Sequence, residues 1–235
     1  MQTLFHESCG HPTELDRALG SEVDSAGTSF LTPDMLNKFR YGSKVVNLVL
    51  DSTLEGGLGT FGYDDEGVEA KKIYLVKEGQ FVGYQTSRET ASQIGINESS
   101  GSMRGMYGDD LPIVRMANIN LSPGDWSRDE IINETKTGLL VDTIKAWSID
   151  DRRLNFQFGC EIGKIIQDGE ITELVKNPTY TGITYEFWRS CDASAYDDWK
   201  MLGTPGCGKG RPGQSMYVGH GSGTSRFNNV RVGEL

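Results

Sequence analysis

The chain contains three histidines, and two of them bracket a glutamate within six residues, His6-Glu7-Ser8-Cys9-Gly10-His11. Imidazole is the commonest metal ligand among side chains, and a carboxylate next to a ligand can serve as a general base, so the segment reads as a metal-hydrolase motif. It departs from the zincin pattern H-E-x-x-H by one inserted residue. On a regular α-helix, residues i and i+4 lie about 40° apart, whereas i and i+5 lie about 140° apart and cannot face one ion. A local π-type turn, which Gly10 permits, would bring the two imidazoles back together, and Pro12 favours a break just after the second one. No third histidine follows in Pro12-Thr13-Glu14-Leu15-Asp16-Arg17, so a third ligand has to come from Glu14, Asp16, His220 or a distant cysteine.

Two glycine-rich segments carry the spelling of nucleotide sites without the context. Gly57-Leu58-Gly59-Thr60-Phe61-Gly62 matches G-x-G-x-x-G, but Tyr63-Asp64-Asp65-Glu66-Gly67 follows it, where a dinucleotide turn needs a helix N-terminus facing the pyrophosphate. Gly203-Thr204-Pro205-Gly206-Cys207-Gly208-Lys209-Gly210 resembles a Walker A loop until its last position, where Gly210 replaces the hydroxyl that would ligate Mg²⁺. The glycines around Cys207 would let the backbone bend closely around whatever its thiolate holds.

The elements that must position these residues are mostly strands. Segment 44–51 reads as a buried strand, and 72–77 with 80–84 as a hairpin. Segment 155–164 alternates, with Phe156, Phe158, Cys160 and Ile162 on the buried face, and Asp168-Gly169 has the composition of a type I′ turn. Helices are expected over 5–19, 33–41, 87–94, 127–135 and 193–202, with Ser87 and Ser127 as N-caps. The mixture, without a βαβ repeat, predicts an α+β fold. Its mainly antiparallel, barrel-like sheet carries a few helices, with the metal motif on an N-terminal helix.

Composition narrows the function. The chain has 235 residues, 30 of them glycine, and a formal net charge of −10, which opposes the electrostatics of nucleic-acid binding. Its apolar runs fall far short of the roughly 20 residues of a transmembrane helix, so a soluble protein without membrane contact is expected. Cys9, Cys160, Cys191 and Cys207 are scattered, with no C-x-x-C pair and no signal-peptide h-region, which points to a reducing cytoplasm.

Five segments in order resemble the TldD/PmbA family, also known as modulators of DNA gyrase. They are His6-Glu-Ser-Cys-Gly-His11 continuing to Glu14 and Asp16, Asp64-Asp65-Glu66-Gly67, the hairpin from Val76 to Tyr84, Arg115-Met116-Ala117-Asn118, and Cys207-Gly208-Lys209 with Gly213-Gln214. The resemblance implies a cytosolic zinc metallopeptidase that degrades unfolded peptides. Its Zn²⁺ would lie on His6, His11 and Cys207, with Glu7 as the catalytic base. Because both halves of the metal site are present, it favours the catalytic TldD branch. The partner would be an identical subunit or a PmbA/TldE-like one. Family members are roughly twice as long, so residues 1–235 are expected to form a single domain, the C-terminal metal-binding half. Two imidazoles and a thiolate would leave one position of a tetrahedral zinc open. Glu14 or Asp16 could orient a ligand ring from behind, Lys209 could steady an oxyanion, and Asp64, Asp65 and Glu66 could select peptide termini. His220 has no counterpart in the family pattern and is given no role. The rival function is a non-catalytic, zinc-stabilised partner or adaptor subunit.

Overall fold

The computed structural model describes residues 2–234. Strands dominate and are paired antiparallel, as the α+β reading expects, but the sheets stay open and none closes into a barrel among the described residues. The first sheet has strands β1 (Leu48–Asp51), β2 (Lys72–Lys77), β3 (Gln80–Phe81) and β4 (Ile119–Leu121), in the order β3-β2-β1-β4. β1 is buried at all four positions because it lies centrally, hydrogen-bonded to β2 on one edge and β4 on the other. The second sheet is built from β5 (Thr137–Ile149), β6 (Asn155–Gln167), β7 (Glu170–Lys176), β8 (Pro178–Ile183) and β11 (Arg231–Glu234). A separate hairpin, β9 (Lys200–Lys209) with β10 (Gln214–Ser222), leans on β4.

One core joins the two sheets to the N-terminal segment. It runs from Leu4, Phe5 and Cys9 through Leu48, Leu50 and Leu75 to Phe158 and Trp188. Trp188 is fully buried and donates its indole N–H to Ser8 Oγ at 3.0 Å, while its ring meets Phe5 edge-on. The face of the N-terminal segment away from the histidines is thereby fixed by an aromatic anchor with its polar group satisfied.

Several local expectations are met. Asp168 and Gly169 both have positive φ (49° and 84°), as a type I′ turn between β6 and β7 requires. Ser87 and Ser127 each form a capping box, starting the helices Arg88–Gln93 and Arg128–Asn133.

Others are corrected. The helix expected over 193–202 is absent: Cys191–Ser194 is a strand, buried except at Asp192 and paired with Ser225–Phe227, and β9 begins at Lys200. Pairing with a remote strand outweighs a weak local helix preference. The helix over 33–41 shrinks to the 3-10 turn Pro33–Met35, because Asn37 turns to φ 60° and the chain then pairs alongside β3. Ile162 is exposed. A register shift in β5 near Lys145, opposite Gly159 and Cys160, breaks the alternation of β6 beyond Cys160. The helix Thr184–Arg189 was not anticipated.

The G-x-G-x-x-G segment lies in turns between β1 and β2 with no helix after it, and its glycines have a packing origin. A Cβ on Gly59 would meet the Ala117 backbone at 2.4 Å, and one on Gly57 would meet Asn118 at 2.6 Å, whereas Gly62 faces open space. Gly59→Ala is therefore expected to lower the unfolding free energy by ~1–3 kcal/mol in urea titration, and Gly62→Ala to leave it within ~0.5 kcal/mol.

Candidate metal centre

The N-terminal segment is one helical run wound in three ways. Gln2–Phe5 is α-helical, His6–Gly10 is a π-turn, and His11–Thr13 is 3-10. The decisive bond is a π-type one: the backbone N–H of His11 donates to the carbonyl of His6. It stacks residue i+5 over residue i and sets the two imidazoles edge to face with centroids 4.8 Å apart. Gly10 is required at this point because any Cβ there would strike the sulfur of buried Met116. Changing the winding leaves carbonyls to be satisfied, and neighbours satisfy them. The Thr13 hydroxyl reaches the Cys9 and Gly10 carbonyls at 2.8 and 2.9 Å, and Gln85 Nε2 donates to the Gly10 carbonyl at 2.8 Å. Glu14 is extended (φ −75°, ψ 114°), ending the run two residues after Pro12.

The third donor arrives on β9. Strand alternation buries Cys207 and Lys209 while Gly206 and Gly208 face outward, so both functional side chains share the inner face. Cys207 Sγ lies 4.0 Å from His11 Nε2, and one donor atom from each of His6, His11 and Cys207 falls within 4.8 Å of the others. Tetrahedral coordination at the usual Zn–N and Zn–S lengths needs donor separations of roughly 3.3–3.6 Å, so the three side chains would draw closer around an ion. Cys9, though it lies between the histidines in sequence, points to Ser8 and Tyr41 and is fully buried away from them.

A layer of charge surrounds these donors. His11 Nδ1–H donates to Glu14 Oε2 at 2.8 Å, which leaves Nε2 as the nitrogen turned toward Cys207. Lys209 Nζ donates to Asp16 Oδ1 and the Val114 carbonyl, each at 2.7 Å, and lies 3.4 Å from Glu14 Oε2. With two hydrogen bonds and an ion pair to these groups, the ammonium is committed behind the ring of His11. Glu7 Oε2 sits 3.2 Å from Arg153 Nε. Arg115 is wholly buried, reaches the Cys207 carbonyl through Nη2, and keeps Nε and Nη1 without a hydrogen-bond partner. A buried guanidinium with free N–H groups beside a thiol suits a site in which that thiol becomes an anion. A cavity of about 350 Å³ opens alongside, lined by His11, Arg17, Glu22, Arg153 and Lys209 among others.

Burial governs protonation throughout. It holds both ligand imidazoles well below the usual histidine value, with neighbouring histidines adding to the effect at His6 and the Arg153 guanidinium at His11. It lowers His220 to about 4. It raises the Glu7 carboxyl, against the opposing pull of Arg153 and Arg17, and pushes the Cys207 thiol up to about 12 against the pull of Arg115. Neutral imidazoles are the state that metal binding needs, and an ionised carboxylate of raised proton affinity is what base catalysis needs.

The remaining expected residues serve the scaffold. Asp64 accepts backbone N–H groups of Glu66, Val68 and Met103, Asp65 accepts Gly105 N–H, and Glu66 accepts Arg88 N–H. Segment 203–209 is strand, not a phosphate loop. His220 is the residue that sequence reasoning left aside: its Nε2 lies 3.1 Å from His6 Nδ1. The signal was present in the alternation Gln214, Met216, Val218, His220, all buried on the β10 face that meets the site.

Residues 1–234 match the model of the PmbA/TldA metallopeptidase C-terminal domain. The chain belongs to this family. It is 37% identical over 230 residues to a metalloprotease of Methanothermobacter thermautotrophicus and 35% identical over 223 residues to one of Methanocaldococcus jannaschii. These alignments cover 98% and 95% of the chain but only 47% and 46% of the relatives, so the chain spans about half their length. A zinc metalloprotease TldD homolog of Saccharolobus solfataricus is 25% identical over 230 residues, covering 97% of the chain and 48% of that protein. In fold, the chain resembles the crystal structure of TldE from Thermococcus kodakarensis, with a TM-score of 0.76 over 98% of the chain and 47% of that structure at 21% identity.

Burial of the histidines gives the metal-free chain a pH-dependent contribution to stability. An unfolded histidine takes up its proton near pH 6.5, whereas folded His220 does so only near 4, so its contribution is intact above pH 6.5 and lost as the pH falls toward 4. Glu7, Asp16 and Glu22, whose carboxyls are raised, act in the opposite sense, so a variant difference is the cleaner measure. Between pH 6.5 and 4, chelator-treated wild type is expected to lose about 3 kcal/mol more stability than His220→Gln in denaturant titrations.

Proposed function

We propose that the chain is the metal-bearing, C-terminal half of a TldD-type zinc metallopeptidase that hydrolyses unfolded peptides, with His6, His11 and Cys207 as ligands and Glu7 as catalytic base. The observation that carries this reading is the convergence of those three donors within 4.8 Å, on two chain segments almost 200 residues apart. The donor set fits zinc: two imidazoles kept neutral by burial, and a thiol beside a guanidinium with unpaired N–H groups. Zinc held there would supply Lewis acidity to the scissile carbonyl and a nucleophilic water near neutral pH.

The chain's own residues do the rest. Glu7 cannot easily ligate, since its neighbour His6 already does, and its carboxylate is left to accept the water's proton and return it to the departing amine. The Arg153 guanidinium at 3.2 Å holds that carboxylate in place while burial keeps its proton affinity high enough for the task. Glu14 and Lys209 hold the His11 ring from behind, with Asp16 anchoring Lys209. The cavity beside His11 would admit the peptide as an extended strand, recognised through its main chain without regard to sequence. We further propose a cytoplasmic protein that works as a homodimer, or as a heterodimer with a PmbA/TldE-like subunit.

Glu7→Gln separates catalysis from metal binding. The variant is expected to retain zinc at the wild-type level and to cleave an unstructured peptide 10²–10⁴-fold more slowly, as followed by mass spectrometry. Equal turnover would remove Glu7 from the mechanism, and absence of turnover in both proteins would favour the adaptor.

A further inference from the structure

We propose that His220 is a positioning residue for the metal: it holds the His6 ring in the tautomer that carries its proton on Nδ1, so that Nε2 is the ligand atom. The proposal builds on the reading of His6 as a zinc ligand.

The backbone around His220 leaves it little freedom. Gly219 N–H donates to the Ala117 carbonyl at 3.1 Å, and Gly221 N–H donates to Asn120 Oδ1 at 2.8 Å, pinning β10 against β4 on either side of the histidine. Both neighbours must be glycine at this approach: a Cβ would meet Asn118 Oδ1 at 2.4 Å from Gly219 and the Trp199 ring at 2.3 Å from Gly221. The imidazole is 2% exposed, so its polar atoms must be satisfied within the protein.

The direction of the hydrogen bonds then follows from which atoms can donate. His220 Nδ1 lies 3.3 Å from the Ile119 carbonyl oxygen. A carbonyl only accepts, so Nδ1 carries the proton and Nε2 of the neutral ring is an acceptor. His6 Nδ1 lies 3.1 Å from that Nε2 and must donate. With its proton on Nδ1, His6 has its lone pair on Nε2. The opposite tautomer would set two lone pairs against each other at this distance in a buried site. His11 is arranged in the same way through Glu14, so both rings present Nε2. The two supports differ in charge: a carboxylate stands behind His11 and a neutral imidazole behind His6. Since the Nε2 lone pair of His220 is taken by His6, His220 would act behind the ligand ring and not as a ligand itself.

Two measurements on the whole chain test this. Zinc affinity is read by competition with a chromophoric chelator for wild type, His220→Phe and His220→Gln. Phenylalanine keeps the ring and removes both polar atoms, whereas glutamine keeps an acceptor for His6 and a donor for Ile119. His220→Phe is expected to bind zinc 10–100-fold more weakly, and His220→Gln to recover most of that loss. In the metal-free wild-type chain, long-range ¹H–¹⁵N correlations of the histidine rings should report Nδ1–H for both His6 and His220, a readout that holds even if the phenylalanine variant fails to fold. Wild-type affinity in His220→Phe, equal losses in both variants, or an Nε2–H tautomer at His6 would overturn the proposal. A wild-type chain that binds no zinc would instead refute the metal centre, while the tautomer would still decide the role of His220.

Discussion

A single backbone hydrogen bond, from His11 N–H to the His6 carbonyl, is the constraint around which the site is organised. An α-helical hydrogen bond at this point would turn the second imidazole away by well over a right angle. The π-type bond stacks the rings, and its consequences spread outward. Gly10 must be glycine to clear Met116, Thr13 and Gln85 must satisfy the displaced carbonyls, and Trp188 must hold the opposite face through Ser8. Gln85 follows the β2–β3 hairpin, and Trp188 lies on the helix after β8, so the geometry of one turn is held by elements of both sheets.

The second half of the site is imposed by strand periodicity. Cys207 and Lys209 on β9, and Met216 and His220 on β10, reach the same interior because alternate residues share a face. Three layers result. Donor atoms lie innermost. Behind them come Glu14 and His220, each with one hydrogen bond to a ligand ring, and Lys209, which bonds Asp16. Arg17, Glu22 and Arg153 surround the cavity, where ion pairs such as Arg17–Glu22 at 2.9 Å offset the burial of charge.

What was legible in the sequence is what depends on near neighbours. The inserted residue in the histidine motif demanded a π-turn, Ser87 and Ser127 announced their helices through capping, and Asp168-Gly169 announced its hairpin. These are decided within a few residues. The segment 193–202 was misread because its strands exist only by pairing with residues 18 to 33 positions further along the chain, from Leu202 with His220 to Ala193 with Arg226. Ile162 was misplaced because the irregularity that exposes it lies on the partner strand. In the candidate site, Cys207 was linked to the histidines through family resemblance rather than spacing. The engagement of Lys209 with Asp16, and of His220 with His6, depends on tertiary contacts that no local pattern carries.

The central claim is that His6, His11 and Cys207 together hold one zinc ion. Its most direct test is the zinc content of the purified chain, by atomic emission after removal of loosely bound metal, for wild type and Cys207→Ala. One zinc per wild-type chain and a large loss in the variant is the predicted result, because two imidazoles alone hold zinc far less tightly than two imidazoles and a thiolate. Full zinc occupancy in Cys207→Ala, or a wild-type chain that takes up no zinc, would contradict it.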